Sequence, residues 1–209
     1  MIRVFIADDH AIVRKGFCQI IEETDGMELV GQATNGDEVL AQMMKAEWDV
    51  LVLDLSMPGR SGLDVIQAVR DLKPKLPILV LSMHAEDQYA VRLLKNGIAG
   101  YINKETALDN LVNAIRKVVS GGKYVSEALA EKLAFDLTGP GDKGSHESLS
   151  DREYRVLCLL GEGKSVSQIA EELFISVKTI STYRTRILEK LNLNTTADLI
   201  RYAVENNLS

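Results

Sequence analysis

Three carboxylates stand where chemistry could happen. Asp8 and Asp9 close the first strand-like run of the chain, and Asp54 closes the third. In an open α/β sheet the ligand crevice lies outside the carboxyl ends of the strands, where strand order reverses. With the first and third strands adjacent, all three side chains converge in that crevice. Clustered carboxylates raise one another's pKa unless a cation is present. An all-oxygen set points to Mg²⁺, which keeps several waters and accepts a phosphate oxygen. Asp54 then has the anchored position of a nucleophile able to form an acyl phosphate.

An Asp-Asp pair alone more often marks a solvated loop, and other residues change that reading. Lys104 follows the fifth strand-like run, where its ammonium could reach a phosphoryl group. Ser82 ends the fourth run and offers a hydroxyl, and Tyr101 lies three residues before Lys104. His10, beside the acidic pair, is read as a helix-start residue rather than a ligand. His84 follows Ser82 by two residues, and tuning of a phosphoryl lifetime is an even choice for it. Trp48 and Tyr89 are read as packing or surface residues.

The elements that must position these groups follow from periodicity. Arg3–Asp8, Met27–Ala33, Asp49–Leu55, Pro77–Ser82 and Gly100–Asn103 read as strands. Val50-Leu51-Val52-Leu53 and Ile78-Leu79-Val80-Leu81 are continuously apolar, as expected when both faces of a parallel sheet are covered. Helical spacing appears in Ala11–Glu22, Asp37–Ala46, Gly62–Leu72, Glu86–Asn96 and Ala107–Val119. Five βα units predict a doubly wound parallel sheet of order 2-1-3-4-5.

After residue 120 the alternation stops. Ser126–Leu137 can form a helix, and the Gly- and Pro-containing stretch Thr138–Ser145 reads as a linker. Ser150-Asp151-Arg152-Glu153 has capping-box spacing and opens a helix through Leu160. A short helix Ser165–Leu173, a turn at Phe174-Ile175, a helix from the Ser176 cap to Leu191 and a last helix Thr196–Asn206 complete an all-α, four-helix domain. The expected boundaries are 1–119, a linker over 120–147, and 148–209.

Composition bounds the partners. The chain has 209 residues, 46% of them apolar, and no run approaches the ~20 apolar residues needed to span a bilayer. Its first residues enter a strand directly and predict no secretory signal. Cys18 and Cys158 are far apart and read as buried structural residues. These features predict a cytoplasmic protein with no membrane partner. The net charge of −6 argues against nucleic acid until it is divided: residues 1–120 carry 17 acidic and 13 basic groups, whereas 149–209 carry eight of each. Within Val177–Leu191, Lys178, Arg184, Arg186 and Lys190 face only Glu189. A local positive face is what phosphate neutralisation requires.

On a helical wheel Val177, Ile180, Ile187, Leu188 and Leu191 share one side. Lys178, Thr179, Ser181, Thr182, Thr185 and Arg186 face away, a polar and cationic surface suited to the major groove. Arg184 falls with the apolar set, which leaves it between groove edge and packing. A helical bundle whose exposed helix is merely basic is the competing reading.

Taken together, these motifs resemble a known family. Residues 1–119 are similar to the receiver domain of two-component response regulators. The match runs through Asp8-Asp9, Asp54 in Asp-x-x-Met57-Pro58-x-x-x-Gly62, Ser82, Tyr101 and Lys104. Residues 149–208 resemble the LuxR-type helix-turn-helix domain of NarL/FixJ-class regulators. That match rests on Leu149-Ser150-Asp151-Arg152-Glu153, Ile169-Ala170-Glu171-Glu172-Leu173, Ser176-Val177-Lys178-Thr179-Ile180 and Leu188-Glu189-Lys190-Leu191. Three positions depart from the family pattern. Glu105 follows Lys104 where proline is frequent, Tyr183 stands where histidine is frequent, and Asn192 where glycine is common. A cis peptide after Lys104 is therefore not expected, since a non-proline cis bond costs about 2.5–4 kcal/mol.

The resemblance implies a flavodoxin-like receiver phosphorylated on Asp54 by a sensor histidine kinase. It implies Mg²⁺ held by Asp9, Asp54 and the backbone carbonyl of Ser56, with Asp8 acting through water. Ser82 would move to the phosphoryl oxygens and Tyr101 would turn inward behind it. In this family the unphosphorylated receiver often covers the recognition helix. Activation frees that helix and favours a homodimer on double-stranded promoter DNA, with Lys178, Thr179, Ser181, Thr182, Tyr183, Thr185 and Arg186 as the DNA-facing set. Two other classes stay open on the residues: a phosphohydrolase using an aspartyl intermediate, and a regulator that binds DNA without phosphorylation. The first lacks a cap domain and leaves 149–209 unexplained.

Overall fold

A computed structural model describes residues 1–60, 62–83, 88–138, 145–206 and 208. Two compact units result, one containing every strand and the other the carboxyl-terminal helices. In the first, β1 (Ile2–Ala7), β2 (Met27–Ala33), β3 (Val50–Asp54), β4 (Ile78–Ser82) and β5 (Gly100–Asn103) form one sheet in the order β2-β1-β3-β4-β5. All four pairings are parallel, as the apolar runs predict. Every residue of β3 and β4 is buried, because helices cover both faces.

The helices of this unit are α1 (Ala11–Glu22), α2 (Gly36–Met43), α3 (Gly62–Leu72) and α5 (Lys104–Val119), together with the last three residues of α4 (Gln88–Lys95), whose first five fall in the second unit. α1 and α5 send Phe17, Ile21, Leu111 and Ile115 against Val4, Ile6, Val52 and Leu79 of the sheet. α2 and α3 bury Val39, Met43, Val65, Ile66 and Val69. Trp48 is a packing residue, as expected: its ring stacks on Phe5 with centroids 3.9 Å apart. Cys18 and Cys158 are both buried free thiols. α5 starts at Lys104 rather than Ala107, because the Asn103 side chain caps it by accepting from the Glu105 amide, and α2 ends at Met43 rather than Ala46.

The second unit contains α6 (Glu127–Thr138, whose first residue falls at the division), a 3₁₀ turn (Ser145–Ser148), α7 (Asp151–Gly161), α8 (Val166–Glu172), α9 (Val177–Leu191) and α10 (Thr196–Glu205). Capping boxes open three of these helices: Ser150 with Glu153, Ser165 with Gln168 and Thr195 with Asp198. Ile169, Ile180, Ile187, Leu191, Leu199 and Ala203 close the core around α7. Phe174 makes the turn between α8 and α9 at φ 53, and Asn192 ends α9 at φ 54. Asn is the residue after glycine that best tolerates this left-handed conformation, so α9 terminates properly without the family's glycine. Residues 139–144 of the expected linker, and His84, lie outside the described residues.

Candidate functional site

The parallel register assembles the first site. Ala7 pairs with Leu53, so Asp8 and Asp54 emerge side by side from adjacent strands. Ser82 pairs with Asn103, which brings Lys104 to the same edge. Asp8, Asp54, Ser82 and Lys104 are the buried polar residues of this unit. Lys104 Nζ lies 2.6 Å from Asp54 Oδ2 and 2.9 Å from Asp8 Oδ2. The Ser56 amide donates to Asp54 Oδ1 at 3.0 Å, so both oxygens of Asp54 are held.

Charge in this crevice is balanced against burial. Burial pushes the Asp54 carboxyl above its ordinary value, while the Lys104 ammonium and the Ser56 amide pull it back. Burial alone would lower the Lys104 pKa, but Asp54 and Asp8 outweigh it and hold the ammonium above its ordinary value. The result is a buried carboxylate with a fixed ammonium beside it.

The loop after β3 explains one motif in steric terms. A Cβ at Gly62 would lie 2.7 Å from the Asp54 carbonyl oxygen and 2.6 Å from Leu55 Cα, well inside contact distance. Only glycine lets α3 start this close to the strand that carries Asp54. Met57 is buried in the same loop.

Tyr101 is fully buried. Asp8 pairs with Lys104 and accepts the His10 amide at 2.8 Å. The peptide after Lys104 is trans, as expected, and no described bond is cis.

Sequence reading passed over two residues of this site. Arg14, one turn into α1, donates from Nη1 to the Asp8 carbonyl at 2.7 Å and from Nε to Gln32 at 3.0 Å, clamping the acidic loop. His10 turns its ring toward the carboxylates: one ligand atom each from Asp8, Asp9, His10 and Asp54 lie within 4.8 Å of one another. Adjacency to the acidic pair was the available signal. The donor set fits a divalent cation.

The second site is the outer face of α9. Lys178, Thr182, Thr185 and Arg186 are exposed there, while Thr179, Ser181 and Tyr183 are half-buried. Thr179 is drawn into the helix cap, its hydroxyl 2.8 Å from Ser176 Oγ. The Tyr183 hydroxyl accepts from Arg152 Nη1 at 3.2 Å. Ser181, Thr182 and Thr185 donate their hydroxyls to the carbonyls of Val177, Lys178 and Ser181 at 3.0, 3.0 and 3.1 Å. Toward solvent they therefore present lone pairs and, for threonine, a methyl group. Val177, placed inside by the wheel, is half exposed in the first turn of α9. Arg184 is half-buried, and its shielded Nε has no hydrogen-bond partner among the described residues.

A parallel sheet with a carboxylate–lysine crevice, followed by a helix-turn-helix, defines a phosphoacceptor module joined to a DNA-reading module. Residues 4–116 match the response regulator receiver domain, and residues 147–203 match the bacterial regulatory proteins of the luxR family. The chain belongs to the response-regulator family, in the class that pairs a receiver with a LuxR-type helix-turn-helix domain. It is 37% identical over 213 residues to the oxygen regulatory protein NreC of Staphylococcus carnosus, covering 99% of this chain and 98% of that one. It is 34% identical to the response regulator GacA of Pseudomonas protegens, across 100% of this chain and 98% of that one. Among solved structures it resembles RcsB of Salmonella enterica serovar Typhimurium bound to promoter P1flhDC with the phosphomimetic BeF3⁻. The TM-score is 0.65 at 31% identity, covering 100% of this chain and 98% of that one. An RcsB–DNA complex gives 0.60 at 29% identity, with 97% and 98% covered.

Proposed function

We propose that this response regulator takes a phosphoryl group from the phosphohistidine of a sensor kinase onto Asp54 and thereby controls binding to promoter DNA. The observation that carries the reading is Lys104 Nζ bridging Asp54 and Asp8 at 2.6 and 2.9 Å inside a buried crevice. A carboxylate oxygen of Asp54 attacks phosphorus, the P–N bond to the donor imidazole breaks, and the imidazole keeps the electron pair. Lys104 neutralises charge on the transferred group, and Ser56 orients the carboxylate. Asp8, Asp9, Asp54 and the Ser56 carbonyl would hold Mg²⁺, which when bound offsets phosphoryl charge. Ser82 offers its hydroxyl to the phosphoryl oxygens, with Tyr101 packed behind it.

The chain acts only in its own phosphorylation and dephosphorylation, not as a turnover enzyme. Its modules divide at 1–119, 120–147 and 148–209. RcsB dimers on DNA support a homodimer reading two half-sites, since a two-fold dimer matches a palindrome. No described helix is long and apolar enough to cross a membrane, and a regulator of promoters works in the cytoplasm. Labelling with acetyl phosphate tests the reading. Wild type should carry a hydroxylamine-sensitive phosphate and Asp54→Asn none; equal labelling of both would refute Asp54 as acceptor.

A further inference from the structure

The residue between the acidic pair and α1 is His10, and its side chain is not used by the helix. It occupies the N-cap position at φ −76, ψ 102, yet makes no side-chain capping bond. The ring is half exposed rather than packed in the core. Nδ1 instead lies 2.8 Å from Asp9 Oδ1, 3.4 Å from Asp8 Oδ1 and 3.9 Å from Asp54 Oδ2. One nitrogen thus stands among three carboxylates from three sequence positions. Metal–ligand bonds of about 2.0–2.2 Å place donor atoms up to about 4.4 Å apart across an ion. The observed spread of 4.8 Å closes to that with a shift of a few tenths of an ångström, which a half-exposed imidazole can make.

We propose that His10 is a nitrogen ligand of the cation in this crevice, so that the site favours first-row transition ions over Mg²⁺ more than its carboxylates alone would, with Mn²⁺ serving as the paramagnetic probe. Imidazole suits first-row transition ions, whereas Mg²⁺ selects oxygen and water. Three carboxylates alone would bind Mg²⁺ and Mn²⁺ with little distinction beyond size. The added nitrogen contributes to Mn²⁺ and almost nothing to Mg²⁺. This rests on the reading of Asp9 and Asp54 as the metal pocket. It adds a ligand that sits in the chain directly after that pocket's acidic pair.

The experiment is pulsed electron paramagnetic resonance on the full-length, unphosphorylated chain with one equivalent of Mn²⁺. Wild type should show ¹⁴N coupling to the ion, converted to ¹⁵N coupling when only the histidines are ¹⁵N-labelled. His10→Asp places a favourable N-cap residue at this position and supplies oxygen instead of nitrogen. It should lose the coupling and lower the ratio of Mn²⁺ to Mg²⁺ affinity by about tenfold. Bound Mn²⁺ without nitrogen coupling in wild type overturns the proposal, as does coupling that survives in His10→Asp. Should His10→Asp not fold, His10→Asn is read in the same way, and coupling that survives in it overturns the proposal. If Asp9→Asn binds Mn²⁺ and Mg²⁺ as wild type does, the metal-pocket reading itself fails, which is a separate outcome.

Discussion

Lys104 Nζ lies 2.6 Å from Asp54 Oδ2, across fifty residues of sequence, and both side chains are buried. Neither charge could remain in that position without the other. Breaking a buried pair by removing one partner leaves an uncompensated ion, at a cost of about 3–5 kcal/mol. Lys104→Met should therefore lower receiver stability by that order in Mg²⁺-free urea unfolding. Lys104→Met with Asp54→Asn should recover a large part of the loss, since the orphaned carboxylate is gone. Additive effects of the two substitutions would show that the contact carries no coupling.

Asp9 differs from its neighbours in being only partly buried and not paired with Lys104. Its carboxylate is therefore the one most available to a cation. Asp9→Ala should remove most Mg²⁺ binding, read from titration of receiver amide shifts in the NMR spectrum. Superimposable titrations of variant and wild type would refute its assignment as a ligand.

The helix-turn-helix unit carries a pH-dependent tie. Glu153 is buried, which by itself pushes its carboxyl up. Lys190 at 2.6 Å and the Ser150 amide at 2.7 Å outweigh burial and hold it below its ordinary 4.5. A carboxyl depressed in the folded state adds stability above its unfolded value, and that stability is lost as pH falls through the folded value. The melting temperature of wild type should exceed that of Glu153→Gln at neutral pH. The gap should close on acidification below pH 4.5. A gap independent of pH would mean that the pair contributes through packing alone.

On α9, Lys178 and Arg186 project freely and should touch phosphates, whereas Thr182 and Thr185 should face base edges. Lys178→Ala should weaken operator and random duplexes alike and reduce the salt slope by about one per monomer. Because the Thr182 hydroxyl already donates to the Lys178 carbonyl, its outward face is a methyl group and lone pairs. Thr182→Ala should cost roughly 1–3 kcal/mol at the operator only. Binding isotherms at several salt concentrations check both, and equal weakening of both duplexes by Thr182→Ala would put the helix in another orientation.

Local pattern determined a large share of this protein. The ranges Met27–Ala33, Gly100–Asn103, Ala11–Glu22 and Gly62–Leu72 are those that periodicity predicts, and Asp54 ends its strand as expected. Apolar spacing, capping residues and turn residues act within a few positions of one another, so they are written in the chain itself. Tertiary structure decided what depends on register and through-space packing. The Ala7–Leu53 pairing sets Asp8 beside Asp54, and the Lys104 ammonium reaches both from the end of β5, two strands from β3 and three from β1. Tyr101 is inside, Val177 is outside, and His10 faces carboxylates instead of its helix. None of these follows from the residue's neighbours in sequence, because side-chain direction is settled by the surfaces that meet it after the sheet has formed.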